Sequence, residues 1–174
     1  MTINYDKVRI GMALSGWPFP SNDPAQLGAY VSELENLDID SLWFTDWIVS
    51  ETFTLEPVVA MSFIAAITKK LKFGTSVIGL PLRNPTVLAK EIATLDYLSN
   101  GRALPAVGLG PETENDYEAC GTDKKSRVGR TEEAVEIMRL LWSGNNVSYE
   151  GNHFTLNNIS IEPKPVQKNL PPIW

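Results

Sequence analysis

The sequence predicts an α/β protein, on three observations. Residues 71–110, LKFGTSVIGLPLRNPTVLAKEIATLDYLSNGRALPAVGLG, read as strand, loop, helix and strand, the pattern of a parallel βαβ crossover. Strand starts near Val8, Ser41, Leu71 and Arg102 recur at the spacing of a repeated βα unit, about 30 residues. The intervals between them carry helix-start signals and apolar residues at helical spacing.

Taken in order, Val8 to Leu14 is a short apolar run that stops at Ser15-Gly16. Asn22-Asp23-Pro24 then opens a helix with Leu27, Tyr30, Val31, Leu34 and Leu37 on one face. Ser41 to Thr45 is the second strand. Glu56-Pro57 starts the next helix, with Val59, Phe63 and Ile67 as its apolar spacing and Lys69-Lys70 in its last turn. Leu71 to Ile78 is the third strand. Asn84 caps the third helix and Pro85 takes its first position, after which Leu88, Ile92, Leu95 and Leu98 recur until Ser99-Asn100-Gly101 stops it. Arg102 to Gly110 is the fourth strand.

Beyond Gly110 the regularity pauses. PETENDYEACGTDKKS is polar and turn-rich, and Ser126 then caps a helix with Ala134, Ile137, Met138 and Leu141 on one face. Val147 to Ile161 reads as a hairpin turning at Glu150-Gly151-Asn152, and the Pro-rich Glu162 to Pro172 reads as an extended linker.

Composition narrows the function classes. With 174 residues and 43% hydrophobic content, one domain with one sizeable core is the default. The net charge of -6, without a basic cluster among aromatics, argues against nucleic acid and for a small molecule or cofactor as partner. The single Cys120 has no intrachain disulfide partner, no signal-peptide pattern precedes Tyr5, and no apolar run reaches the roughly 20 residues of a membrane span. Together these predict a cytoplasmic, non-membrane protein.

GTSVIGLPLRNPTVLAKEIATLDYLSNGR followed by VGLG resembles the bacterial luciferase-like family of flavin- and deazaflavin-dependent oxidoreductases. The resemblance continues through LWFTDWI, LEP, the E-A-C-G turn, R-x-x-R-x-x-E, RLLW and EPKPVQKNLPPIW, nearly the whole chain. It implies a partial (β/α)8 TIM barrel: four βα units and a hairpin excursion, with residues 1–174 forming the N-terminal half and Ile173-Trp174 opening the barrel's fifth strand. The competing fold, an open doubly wound sheet, lacks its glycine-rich phosphate fingerprint at GMALSGWP. Half a barrel exposes two sheet edges and an uncovered inner face, so the chain is expected to form a homo-oligomer or to associate with the missing barrel half.

The same resemblance implies the site, at the C-terminal ends of the strands. Asp46 corresponds to the position where the family usually places an Asp-His or equivalent pair, touching the polar edge of the flavin or the substrate. Two roles are open to it: that one, or a turn residue satisfying loop amides. Trp47 stands where histidine is usual, which removes the side chain best suited to proton transfer near neutral pH. His153, the sole histidine, sits in the hairpin and is expected to pack. Thr75-Ser76-Val77 resembles the family's bulge, where a non-prolyl cis peptide supports one face of the isoalloxazine ring. Gly108 and Gly110 allow close backbone approach to the cofactor or simply a tight turn. Glu112 is a candidate proton donor in place of the absent histidine, or a solvated loop carboxylate. Glu114, Arg127, Arg130 and Glu133 are expected to form ion pairs between loop and helix, and Cys120 to pack.

The implied function is a luciferase-like oxidoreductase in which a reduced deazaflavin (coenzyme F-420) or FMN passes hydride or activates dioxygen against a small organic substrate. The alternative is a truncated non-catalytic remnant, or a self-associating flavin-binding module. No residue names the substrate.

Overall fold

The computed structural model describes residues 8–168 and 171–173. Strands β1 (Gly11–Leu14), β2 (Ser41–Phe44), β3 (Lys72–Thr75) and β5 (Ala103–Leu104) form one parallel sheet in the order β1-β2-β3-β5. Strands β4 (Ile78–Gly79) and β6 (Val107–Gly108) pair in parallel just beyond the ends of β3 and β5. Helices α1 (Ala25–Asn36), α2 (Pro57–Ile67), α3 (Pro85–Ser99) and α5 (Arg127–Ser143) follow the successive strands, and each packs on the next. A short helix α4 (Asn115–Ala119) and an antiparallel hairpin, β7 (Val147–Glu150) and β8 (Thr155–Ile159), complete the chain. Trp174, half of the pair expected to open the barrel's fifth strand, lies outside the described residues.

Two of the expected long strands are broken, for a local reason. Leu71 to Ile78 divides at Ser76-Val77, whose peptide bond is cis. Arg102 to Gly110 divides at Pro105-Ala106, where proline cannot donate to the ladder. The Thr75 hydroxyl fills the gap, donating to Ala106 O at 2.7 Å and accepting from Ala106 N at 3.0 Å.

One face of the sheet is buried. Leu42, Phe44 and Phe73 meet Val31, Met61, Ile64, Leu88, Ile92 and Ile137 from the helices. Strand alternation sends Trp43 and Gly74 to the opposite face. There the Trp43 indole donates to Ser41 Oγ at 3.0 Å and lies across Gly11 and Gly74. A Cβ on Gly74 would stand 2.7 Å from the Trp43 ring and would also strike Leu104 O, so the position admits no side chain.

Three helix faces differ from the sequence expectation. On α2 the buried residues are Val58, Ala60, Met61 and Ile64, while Val59, Phe63 and Ile67 face outward. This helix is PVVAMSFIAAI, without a charge, so its spacing cannot choose a face. Leu37 and Leu98 are also exposed: Leu37 has left α1 at its C-cap, and Leu98 lies on the outer side of α3. Lys69 and Lys70 fall after the Thr68 C-cap, and their backbone N–H groups, with that of Leu71, donate to the Glu35 carboxylate. Ser126 makes no side-chain cap; its hydroxyl donates to Asp123 O instead.

Asn84 does cap α3, accepting from Thr86 N and Val87 N, with Pro85 at the first position. Among the described residues, Glu133 and Arg130 do not form the ion pairs expected of them. Glu133 accepts from the backbone of Asn152, His153 and Phe154, while Arg130 donates to Pro81 O and lies over the Phe154 ring. Both therefore clamp the hairpin. Partial burial pushes the Glu133 carboxyl up, but the three backbone donors outweigh it and hold the group below its ordinary value of 4.5. A depressed carboxylate contributes stability above its unfolded pKa and loses it as pH falls through the folded one. Glu133→Gln should thus lower the urea midpoint at pH 7, with the gap from wild type closing as pH falls below 4.5. A pH-independent gap would refute the charge-based clamp.

Candidate functional site

Parallel strands deliver their exits to the same end of the sheet, and the ends of β2, β4 and β6 meet there. The turn around Ser76-Val77 is tied on both flanks: Ser76 N donates to Phe44 O at 2.7 Å and Ile78 N to Ala106 O at 2.8 Å. Its neighbours Thr75 and Ile78 are fully buried, whereas Val77 is 42% exposed. The Val77 side chain is seated on Gly108, where an added Cβ would stand 2.6 Å from Val77 Cγ2. An apolar side chain on a turn tied at both flanks thus rests on Gly108 and is left partly open.

Asp46 lies behind this turn with its side chain only 1% exposed. Its Oδ2 accepts from Gly79 N at 3.0 Å and Arg83 Nε at 3.3 Å, and Oδ1 accepts from Arg83 Nη2 at 2.8 Å. The same Nη2 is 3.0 Å from Glu56 Oε1, and Glu56 Oε2 accepts from Val59 N at the start of α2. Burial pushes the Arg83 guanidinium down, but the bond and charge of Asp46, followed by Glu56, hold it above its ordinary value. Asp46 thus binds the amide of Gly79 in β4, 33 residues away rather than in its own turn, and adds a forked pair with Arg83. Both oxygens are engaged, and neither presents a free polar edge.

Gly110 has φ +81°, and a Cβ there would stand 2.8 Å from Tyr117 Oη. Gly108 and Gly110 therefore both make room for side chains of this chain, Val77 and Tyr117. Glu112 is 80% exposed and pairs with Arg127 at 2.9 Å and Lys124 at 3.4 Å. The Arg127 hydrogen bond and charge hold its carboxyl below the ordinary value, so it is ionised at neutral pH and is not poised to donate a proton. Glu112 acts as the loop ion pair that the sequence assigned to its neighbours.

Trp47, Ile48, Val49 and Phe53 are exposed on the loop leaving β2. Trp17, on the loop leaving β1, packs edge-on against Phe53 and Phe19. A slot of about 260 Å³ between these loops and α2 is lined by Trp17, Leu27, Phe53, Leu55, Val59 and Phe63, among others. Cys120 is partly buried, and burial followed by the Asp116 charge pushes its thiol up, away from thiolate chemistry. His153 lies in the hairpin against Gly129.

Sequence reasoning missed Tyr117 and α4. Thr113-Glu114-Asn115-Asp116 carries the spacing of a helix-start box, but the cap position falls on Glu114, which makes no side-chain cap, and Thr113 Oγ1 instead donates to the Asp116 side chain at 2.6 Å. It also gave Arg83 no role in the site, because a buried pair between residues 37 apart leaves no local pattern.

Residues 8–174 match the model of the family described as luciferase-like monooxygenase. An F420-dependent glucose-6-phosphate dehydrogenase of Kineococcus radiotolerans is 32% identical over 151 residues, covering 83% of this chain and 44% of that protein. Its counterpart in Amycolatopsis mediterranei is 32% identical over 152 residues, 83% of this chain and 45% of that one. Among solved structures, an F420-dependent secondary alcohol dehydrogenase in complex with an F420-acetone adduct superposes with a TM-score of 0.77 at 27% identity, over 93% of this chain and 50% of that one. Monooxygenase RslO1 from Streptomyces bottropensis, at 22% identity, shares the fold with a TM-score of 0.83 over 95% of this chain and 52% of its own. The chain spans less than half the length of these curated relatives.

Proposed function

Because the chain belongs to the luciferase-like monooxygenase family, we propose that it forms the N-terminal part of an oxidoreductase using coenzyme F420 or FMN, and that the cofactor ring lies on Val77. The half-exposed Val77 side chain, seated on Gly108 at the sheet's C-terminal end, carries this reading. It fits a flat apolar ring, which gains from contact with an open apolar group that is already immobile. When bound, a reduced cofactor of this kind supplies hydride or activates dioxygen.

The chain's own residues position. Thr75 and Ser76 hold the turn to β2 and to Ala106, and Gly108 lets the Val77 side chain settle against β6. Asp46 fixes the start of β4 through Gly79 N and holds Arg83, so its part is to shape the site rather than to touch the reacting atoms. The group that moves the proton lies elsewhere in the completed site.

The loops proposed to face the substrate expose apolar groups and carry no basic side chain. No Lys or Arg occurs between Arg9 and Lys69, a stretch that contains both loops leaving β1 and β2. The exposed groups there include Trp47, Ile48, Val49 and Phe53. These loops suit the neutral, apolar part of a small organic substrate.

Titration of FMN and F420, followed by fluorescence, tests the reading in this chain and in its mixture with the C-terminal half of a curated relative. The complemented protein should bind one of the two, and the chain alone far more weakly. The phosphate of a barrel-bound cofactor sits on loops after the barrel's seventh and eighth strands, and each charge-assisted contact contributes about 1.5–3 kcal/mol. Val77→Asp should weaken binding by at least about tenfold, a loss of about 1.4 kcal/mol, while leaving the melting temperature nearly unchanged. No binding by the complemented protein would favour a non-catalytic remnant; unaltered binding by the variant would move the ring off Val77.

A further inference from the structure

The excursion between β6 and α5 adds no strand to the parallel sheet, yet its buried aromatic reaches back to the sheet's end. Tyr117 on α4 is 1% exposed, and its Oη donates to Leu109 O at 2.6 Å and toward Pro111 O at 3.1 Å. One hydroxyl shared by the carbonyls on either side of Gly110 fixes the direction of both peptide groups. Gly110 itself has φ +81°, and a Cβ there would stand 2.8 Å from the same Oη. The hydroxyl therefore occupies room that only glycine leaves.

The following residues are gripped from the same side. Glu112 pairs with Arg127 at the start of α5, and Thr113 Oγ1 donates to the buried Asp116 carboxylate. The loop leaving β6 is thus held at 109, 111, 112 and 113 by α4 and α5. It begins at Gly108, on which Val77 sits.

We infer that Tyr117 is a positioning residue: its hydroxyl locks the 109–113 loop as the wall of the site beside Val77. The lock stands on the hydrogen bonds and on Gly110; only the statement of what the wall faces rests on the proposed flavin site.

Hydrogen exchange read by mass spectrometry on the 174-residue chain tests it. Tyr117→Phe keeps the ring that fills the core and removes only the hydroxyl. Exchange over 109–113 should rise about tenfold, the scale of one lost hydrogen bond, with exchange in α1 to α3 unchanged. Gly110→Ala supplies the second arm. Part of its loss of stability comes from the approach to Oη, so combining it with Tyr117→Phe should cost less than the two changes summed. A variant whose loop exchanges as in wild type, exchange raised throughout the chain, or strictly additive costs would overturn the lock.

The same measurement with FMN or F420 separates the two readings. If a flavin slows exchange over 109–113 in wild type, and Tyr117→Phe weakens that flavin's binding about tenfold, the lock serves the cofactor. If neither flavin changes the loop while Tyr117→Phe still frees it, the lock stands and the flavin reading of this sheet end fails.

Discussion

Asp46→Ala is expected to cost about 3–5 kcal/mol, the scale of breaking a buried ion pair by removing one partner. The aspartate side chain is 1% exposed and Arg83's is 16% exposed, so water cannot replace what is lost. Gly79 N loses its acceptor and Arg83 keeps only Glu56, which is the more exposed partner. For a chain of this size each kcal/mol lowers the melting temperature by roughly 2–4 °C, so a fall of at least about 6 °C should be seen by circular dichroism. Asp46→Asn keeps the shape and one acceptor for Gly79 N, and should lose less. An alanine variant within 2 °C of wild type would show that the pair contributes little, whereas an asparagine variant as unstable as alanine would assign the whole loss to the charge facing Arg83 rather than to the acceptor for Gly79 N.

Arg102→Ala should cost about 3–4 kcal/mol, from charge-assisted bonds worth about 1.5–3 kcal/mol each that are not additive. The guanidinium donates to Ser99 O at 2.8 Å, Thr68 Oγ1 at 2.7 Å, Leu71 O at 2.9 Å, Ala65 O at 3.0 Å and Thr68 O at 3.1 Å, and it lies over the Phe73 ring. One side chain thereby closes the C-terminal ends of α2 and α3, where unpaired carbonyls point outward and a cation is favoured. Burial holds its pKa below the ordinary value, and the charge of Glu35, whose carboxylate accepts from the amides just past α2, offsets this only in part. Lysine offers three donors on a flexible stem and cannot span five acceptors, so Arg102→Lys should recover less than half of the loss. Urea denaturation measures both; full rescue by lysine would mean that charge alone matters there.

The repeat of strand starts and the Asn84-Pro85 helix start were legible because both are local: a strand is a short apolar run, and a cap is two adjacent residues. The parallel order of four strands followed from them. The face of α2 was not legible, since every position in it is uncharged. The break at Ser76-Val77 was legible through the resemblance of Thr75-Ser76-Val77 to the family's bulge, whereas the hydroxyl that spans the break at Pro105-Ala106 comes from Thr75, 31 positions away, and left no local pattern. The candidate site divides the same way. The motifs pointed to Asp46, Val77 and Gly108, while the partners that define what they do, Arg83 and Tyr117, became visible only once distant segments met.

The two long edges of the sheet are unequal. Ala103 bonds β3 through its neighbours, which turns its own carbonyl outward, and there Gln167 Nε2 donates to it at 2.9 Å while the Gln167 amide group also reaches Asp96. Strand β1 has no such cover among the described residues. The consequence is one of symmetry. A second copy joining β1 to the outer side of β5 would repeat head to tail, the heterologous contact that closes into a ring or runs on as a filament. It would first have to displace Gln167. A copy meeting β1 with its own β1 displaces nothing, and that contact is isologous: it closes after two chains. A single glutamine side chain thus occupies the acceptor that a further strand beside β5 would use, and among the described residues β1 carries no equivalent.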